Sequence, residues 1–254
     1  MRGWRRVPYL QPASTVMVSR PAASPATATR AYAVRRPLGN RWGFSLSYLW
    51  SRLDGNYSGL SQSDENGRVS PNVGRLYDHP VIMFDEKGRP VYGRLATDRP
   101  HQVKGYLVYS TAFGMNLGAF QFVGSGLPVT REAAVLPPSR YPMQYLGRLS
   151  DGRTPALSQT DVYVQQDVRL GRGTRLSVGI SVSNLFNQDT ATSKFVVETE
   201  PGAGLVIDEA DLYAGRLDFQ QLFAQQHVLK DPRFLMTNDY QAPRTARVMV
   251  RWSF

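Results

Sequence analysis

The sequence predicts an all-β fold: an antiparallel up-and-down meander of about six to eight strands, part of a transmembrane β-barrel, with its long loops on one side. Three observations carry that reading. Several stretches alternate apolar and polar residues with period two over the length of a strand. The face opposite the apolar one is rich in Ser, Gly, Gln, Asp and Arg, and the connections between the stretches are alternately short and long.

The plainest stretch is 160–188, TDVYVQQDVRLGRGTRLSVGISVSNLFNQ. In its second limb Leu176, Val178, Ile180 and Val182 share one face, while Arg175, Ser177, Gly179, Ser181 and Ser183 share the other. In the first limb Val162, Val164, Val168 and Leu170 oppose Asp161, Tyr163, Gln165, Asp167 and Arg169, with Gln166 the one fault. Gly171-Arg172-Gly173 between them supplies glycines for a short hairpin turn. Taken alone, this hairpin suits either a wet barrel lumen opposite a lipid wall or a half-buried soluble sheet.

The chain then reads in order. Residues 1–28 are rich in Arg, Pro, Ala, Ser and Thr without periodicity, and are expected to be disordered or foreign to the fold. Residues 29–254 are expected to form the barrel strands, near 29–36, 41–52, 101–112, 115–125, 158–170, 174–186 and 241–254. In 41–52 the apolar face is Trp42, Phe44, Leu46, Tyr48 and Trp50, opposite Gly43, Ser45, Ser47 and Ser51. Tryptophans at both ends of a lipid-facing strand would sit at the two interfaces. The alternation of 116–124 is blurred and leaves its inward face open. In 241–254, Val248, Val250, Trp252 and Phe254 oppose Arg247, Met249, Arg251 and Ser253. Residues 207–226 have helical character through Leu212, Leu217, Phe219, Leu222 and Phe223, which Gly215 weakens.

Composition excludes several functions. The 254 residues contain no cysteine, so disulfide frameworks and Cys-ligated metals are out. The three histidines, His79, His101 and His227, are scattered singly. Asp54, Asn56, Ser58, Gly59 and Glu65 match the spacing of a calcium-binding EF-hand loop, but a strand precedes them and no amphipathic helix follows, so the match is not favoured. The acidic cluster Asp208, Glu209, Asp211 and Asp218 reads as a solvated face. No arrangement suggests an enzyme or a cofactor. A net charge of +10 raises nucleic acid as a partner of a basic soluble β-protein, yet the arginines are spread along the chain and nucleic acid is not favoured. No run is long and apolar enough for a spanning helix, and no apolar core of a signal peptide follows the basic Met1 to Arg6.

The spacing of the connections is the strongest argument from the residues alone. Long segments at 53–100, 125–156 and 189–239 alternate with short ones at 37–40, 113–115 and 171–173. Consecutive antiparallel strands crossing a slab turn on opposite sides, so the long loops all fall on one side. A small autonomous barrel with one further strand near the N-terminus is the alternative architecture.

The segment GRTPALSQTDVYVQQDVRLGRGTRLSVGISVSNLFNQ, the SGLP turn and the tail DPRFLMTNDYQAPRTARVMVRWSF resemble the C-terminal part of TonB-dependent outer-membrane receptors. The group is the one with a carboxypeptidase-regulatory-like N-terminal domain. The resemblance implies a plugged barrel of about 22 strands that takes up a nutrient with energy from the TonB system. It also implies a C-terminal signal for the barrel-assembly machinery, matched by Arg247, Trp252 and Phe254, with Met249 where Gly is the rule. Outer-membrane lipid and an unspecified nutrient are the other partners implied. Plug, TonB-contacting segment and signal peptide find no counterpart, so the expectation is a C-terminal barrel fragment of a truncated, split or wrongly started gene, inactive in transport alone.

Overall fold

Period-two alternation becomes a sheet here because each inner strand can pair on both sides with its neighbours in the meander. The computed structural model describes residues 26–39, 41–55, 84–136, 141–171 and 173–254. In chain order its elements are β1 (Ala26–Arg36), β2 (Trp42–Gly55), β3 (Gly93–Arg94), β4 (His101–Ser110), β5 (Met115–Gly124), β6 (Ala133–Leu136), β7 (Tyr141–Met143), β8 (Leu157–Gly171) and β9 (Thr174–Ser183). They continue with β10 (Ala191–Lys194), β11 (Leu205–Val206), α1 (Glu209–Tyr213), α2 (Phe219–Gln225), β12 (Thr237–Tyr240) and β13 (Thr245–Ser253).

The principal sheet has the order β1-β2-β4-β5-β8-β9-β13, with β3 as a short addition to β2. Every neighbouring pair in it is antiparallel. This is the predicted up-and-down meander, and among the described residues it stays open between β1 and β13.

Register sorts the side chains into two faces. One continuous row runs Trp42, Tyr109, Leu117, Val164, Ile180, Val248 across six strands. The next runs Phe44, Leu107, Ala119, Val162, Val182, Ala246. Pairing also resolves β5: Asn116, Gly118, Phe120 and Phe122 lie on the polar face with Gln165, Tyr163, Asp161 and Gln159. Trp42 is at the turn end of β2, whereas Ile180, in the same row, is near the loop end of β9. That stagger is what tilted barrel strands require.

Among the described residues nothing covers the apolar face. Ile180 is 43% exposed, Val250 67% and Trp252 64%. On the polar face a hollow of about 500 Å³ is lined by Tyr106, Asn116, Phe120, Asp161, Tyr163 and Ser181.

The dry core lies elsewhere. Ala133, Val135, Met143, Tyr145, Leu205, Ile207, Leu212, Phe219 and Phe223 form one buried cluster, and every one of them belongs to a long connection. Strand β6 joins β7 and β11 in a three-stranded sheet, and β10 pairs β12 in another of two. The long connections thus build one cap at the loop side of the meander. Each of its large apolar side chains contributes about 1.5–3 kcal/mol by burial.

The helical stretch at 207–226 is two helices rather than one, and each is too short to persist alone. Asp208 caps α1 by accepting from Ala210 and Asp211 N–H, and Asp218 caps α2 by accepting from Gln221 N–H. Two of the acids read from sequence as a solvated face are therefore helix caps, each worth about 1 kcal/mol against Ala. Leu212, Phe219 and Phe223 turn into the core, with Phe219 stacked on Tyr145 at a centroid distance of 4.3 Å.

Gly215 separates the helices at φ +67, and Gly88 of the first long connection packs against the same turn at φ +66. A Cβ on Gly215 would lie 2.7 Å from the Lys87 carbonyl oxygen, and one on Gly88 2.6 Å from that of Leu212. Gly215→Ala is expected to cost about 1–3 kcal/mol through strain and collision. Hydrogen exchange should then accelerate in α1 and α2 while β8 and β9 keep their protection; equal acceleration in both would show that cap and sheet are one cooperative unit.

Candidate functional site

The cap is fastened to the rim of the sheet by buried charge. Asp98 is 1% exposed. Its carboxylate accepts from Leu53 N–H at 2.8 Å and pairs with Arg153 Nη2 at 2.6 Å. Arg153 Nη1 also donates to the Asp98 and Gly126 carbonyls at 2.9 and 3.0 Å. One guanidinium thus ties the second long connection to the first. Sequence reading missed this pair because nothing local links residues so far apart. The charges alternate along the rim, and an uncompensated member would cost about 3–5 kcal/mol.

Asp54, the first residue of the calcium-like pattern, is part of that rim. Arg94 Nη1 lies 3.1 Å from its Oδ1, and Arg52 Nε lies 2.5 Å from its Oδ2. Its carboxylate is committed to guanidinium groups. Asn56, Ser58, Gly59 and Glu65 lie outside the described residues. Among the described residues no group of three or more acids or histidines is arranged to hold a metal ion.

A second charged group lies deeper in the cap. Arg131 Nη2 meets Asp151 Oδ1 at 2.7 Å, and its Nη1 lies 3.6 Å from Glu198 Oε2. The Tyr145 hydroxyl donates to Glu198, and Lys230 Nζ lies 2.7 Å from Glu198 Oε1. Burial pushes the Tyr145 phenol up, and Glu198 adds to the shift. Asp151 raises the Arg131 guanidinium against the opposing effect of burial. Burial works against the Asp151 carboxylate as well, but hydrogen bonds from Arg131 and Ser150 outweigh it and hold the group below the usual carboxylate value. Each acid is neutralised where it stands, which suits positioning better than proton transfer.

Beside this group a cavity of about 540 Å³ opens between the second and third long connections. Thr130, Glu132, Thr154, Ser193 and Asp239 line it, together with the Asp231–Arg233 pair at 2.8 Å. Ser193 donates to Asp239 at 2.8 Å, so the wall offers a fixed set of hydroxyl and carboxylate groups to a polar guest.

The NLFN and QAPR motifs, remote in sequence, meet in space. Asn184 is buried at φ 52. Its N–H donates to Asp161 at 2.8 Å, its amide nitrogen donates to the Gln188 and Ala242 carbonyls at 2.8 Å each, and its Oδ1 accepts from Gln188 N–H at 2.9 Å. Asn187 Oδ1 accepts from Arg244 N–H at 2.9 Å, and Gln241 Nε2 donates to the Ser158 carbonyl at 2.9 Å. The clasp closes the mouth of the third long connection. It also delays β13 to Thr245, because residues 241–244 are used in the clasp before pairing resumes.

The chain is similar to a TonB-dependent transporter. Over 235 residues it is 27% identical to the TonB-dependent transporter Oar of Myxococcus xanthus, an alignment that covers 87% of this chain and 22% of that protein. The alignment thus spans under a quarter of the length of this transporter. No family model matches the sequence, and no solved structure matches the chain. Transporter homology and an antiparallel meander with capping loops point the same way.

The residues expected to signal transporter assembly all fall on or beside β13. Arg247 pairs with Ser181 on the polar face, Trp252 pairs with Leu176 on the apolar face, and Phe254 follows the strand fully exposed. Met249 stands opposite Gly179.

Asn184→Ala is expected to cost about 2–4 kcal/mol, since it strips partners from buried backbone groups and puts Ala at positive φ. Urea denaturation of the refolded chain reads this directly, and Asn184→Gly should restore the strain part alone. The Asp151 carboxylate titrates lower in the folded than in the unfolded chain. Its stability contribution is therefore complete above the ordinary carboxylate range and is lost as pH falls through the lowered folded value. Protease resistance of the cap should be flat from neutrality to about pH 5 and decline below about pH 4, and Asp151→Asn should remove part of that dependence.

Proposed function

We propose that this chain supplies adjacent staves and the outward cap of a TonB-dependent outer-membrane transporter, of the type with a carboxypeptidase-regulatory-like N-terminal domain. One observation carries the reading. Among the described residues the face bearing Trp42, Phe44, Val178, Ile180, Val250 and Trp252 has no protein layer over it, and the buried hydrophobic cluster lies in the cap. A soluble sheet would bury that face; a barrel wall leaves it to lipid.

The open edges at β1 and β13 need further strands, because unpaired backbone groups are not tolerated in hydrocarbon. The described meander is therefore read as part of a larger barrel and as inactive in transport by itself. Its polar face lines the lumen. The cap, with its cavity, faces the cell exterior and contributes to capture of a nutrient ligand. The TonB system would act on the whole transporter. Arg247, Trp252 and Phe254 form the signal read by the barrel-assembly machinery, and the location is the outer membrane of a Gram-negative-type bacterium.

Charge scanning on neighbouring residues tests the wall. Ile180→Arg, on the apolar face, is expected to lose about 2–4 kcal/mol in lipid vesicles, whereas Ser181→Arg on the lumen face should be tolerated. Flotation with the vesicles and urea midpoints of the refolded chain are the readouts. If Ser181→Arg proves the more damaging substitution, the faces are assigned the wrong way round and the barrel reading fails.

A further inference from the structure

We infer that the loop-side end of the apolar wall holds the phosphate of an anionic lipid, at a site made by Arg30, Trp50 and His101. The inference rests on the barrel reading and adds a specific partner to it. The three residues form one cross-strand row: Arg30 opposes Trp50, and Trp50 opposes His101. All three are therefore on the outward face, at the last row before the charged rim.

The β1–β2 hairpin carries an arginine beside a tryptophan at each end, and the two pairs differ. At the turn end the Arg36 guanidinium lies 3.7 Å from the Trp42 ring centroid, a full cation–π contact. At the loop end the Arg30 guanidinium stands off at 6.0 Å from Trp50, at the limit of that interaction. Arg30 is exposed and has no carboxylate partner among the described residues. Its planar fork of donors can take two phosphate oxygens at once.

His101 supplies the second contact. The Tyr48 hydroxyl lies 2.7 Å from its Nδ1 and the two rings stack at 6.1 Å. In the tautomer whose Nδ1 accepts from the Tyr48 hydroxyl, Nε2 carries the proton and can donate to a ligand oxygen. Just inside this row Tyr32 and Tyr48 stack at 6.3 Å, and beyond them Val34 pairs with Leu46. Cation, aromatic belt and aliphatic wall follow one another in the order of a lipid's phosphate, backbone and acyl chain. That match of charge and polarity along one strand pair selects a phospholipid over a soluble phosphate.

The test is electron spin resonance of the full chain refolded in phosphatidylcholine vesicles, with spin-labelled phosphatidylglycerol or spin-labelled phosphatidylcholine as the probe. Wild type is expected to immobilise the anionic probe about fivefold more strongly per basic contact, with the preference shrinking in high salt. Arg30→Gln should remove most of the preference, Arg30→Lys should retain part of it, and His101→Gln should reduce it. Arg35→Gln, on the opposite face of the same strand, should leave it intact. Equal immobilisation of the two probes by wild type, or an equal loss in Arg35→Gln, would overturn the lipid site while leaving the barrel standing. Immobilisation of neither probe by a chain that co-floats with the vesicles would sink the barrel reading itself.

Discussion

Pairing of the backbone within the sheet is the constraint on which the molecule depends. Each inner strand of the meander has an antiparallel neighbour on both sides, so its N–H and C=O groups need nothing from the solvent. Side chains on one face can then be wholly apolar without a protein partner, and those on the other can be Ser, Gln, Asp and Arg without burial. A sheet that had to fold over a core could not spare a face in this way. The dry packing that holds most domains together is displaced into the cap, where the long connections have enough length to build it.

The cap is more than slack between strands. Its core unites residues from all the described long connections through Phe84, Tyr145, Leu205 and Phe219, with Phe84 set edge-on to Tyr213 at 5.3 Å. Below it, Asp98, Arg153, Asp54 and Arg94 replace grease with charge at the level where the wall ends. The order from turn side to loop side is therefore hairpin turns, an apolar band, a row of aromatic and basic residues, a salt-linked rim and a small hydrophobic domain. Such layering stands a small packed domain on a sheet whose apolar face the described residues leave uncovered.

The clasp at the base of the third connection gives a physical reason for two sequence signatures occurring together. Asn184 can satisfy four backbone and side-chain partners only because Gln188 and Ala242 converge on it, and Asn187 reaches Arg244 in the same turn. The spacing between the motifs is free to vary with the loop, while the contact between them is not. This is why NLFN and QAPR are legible as a combination and uninformative singly.

Much of this was written in local pattern. Period-two alternation in 160–188 and 41–52, glycines at the tight turn and the short-long rhythm of the connections determined the meander, its two faces and the side on which the loops gather. These are properties of neighbours along the chain, and neighbours are what a sequence displays. The cap was decided only in three dimensions. The stretch at 207–226 became two capped helices because Gly215 meets Gly88 from another connection. The Asp98–Arg153 and Glu198–Lys230 pairs join residues whose approach no local signal marks, and the cavity beside them exists only because two connections happen to close around it. Alternation determines how one strand presents its sides, but the partners of buried charges are set by which loops meet above the sheet.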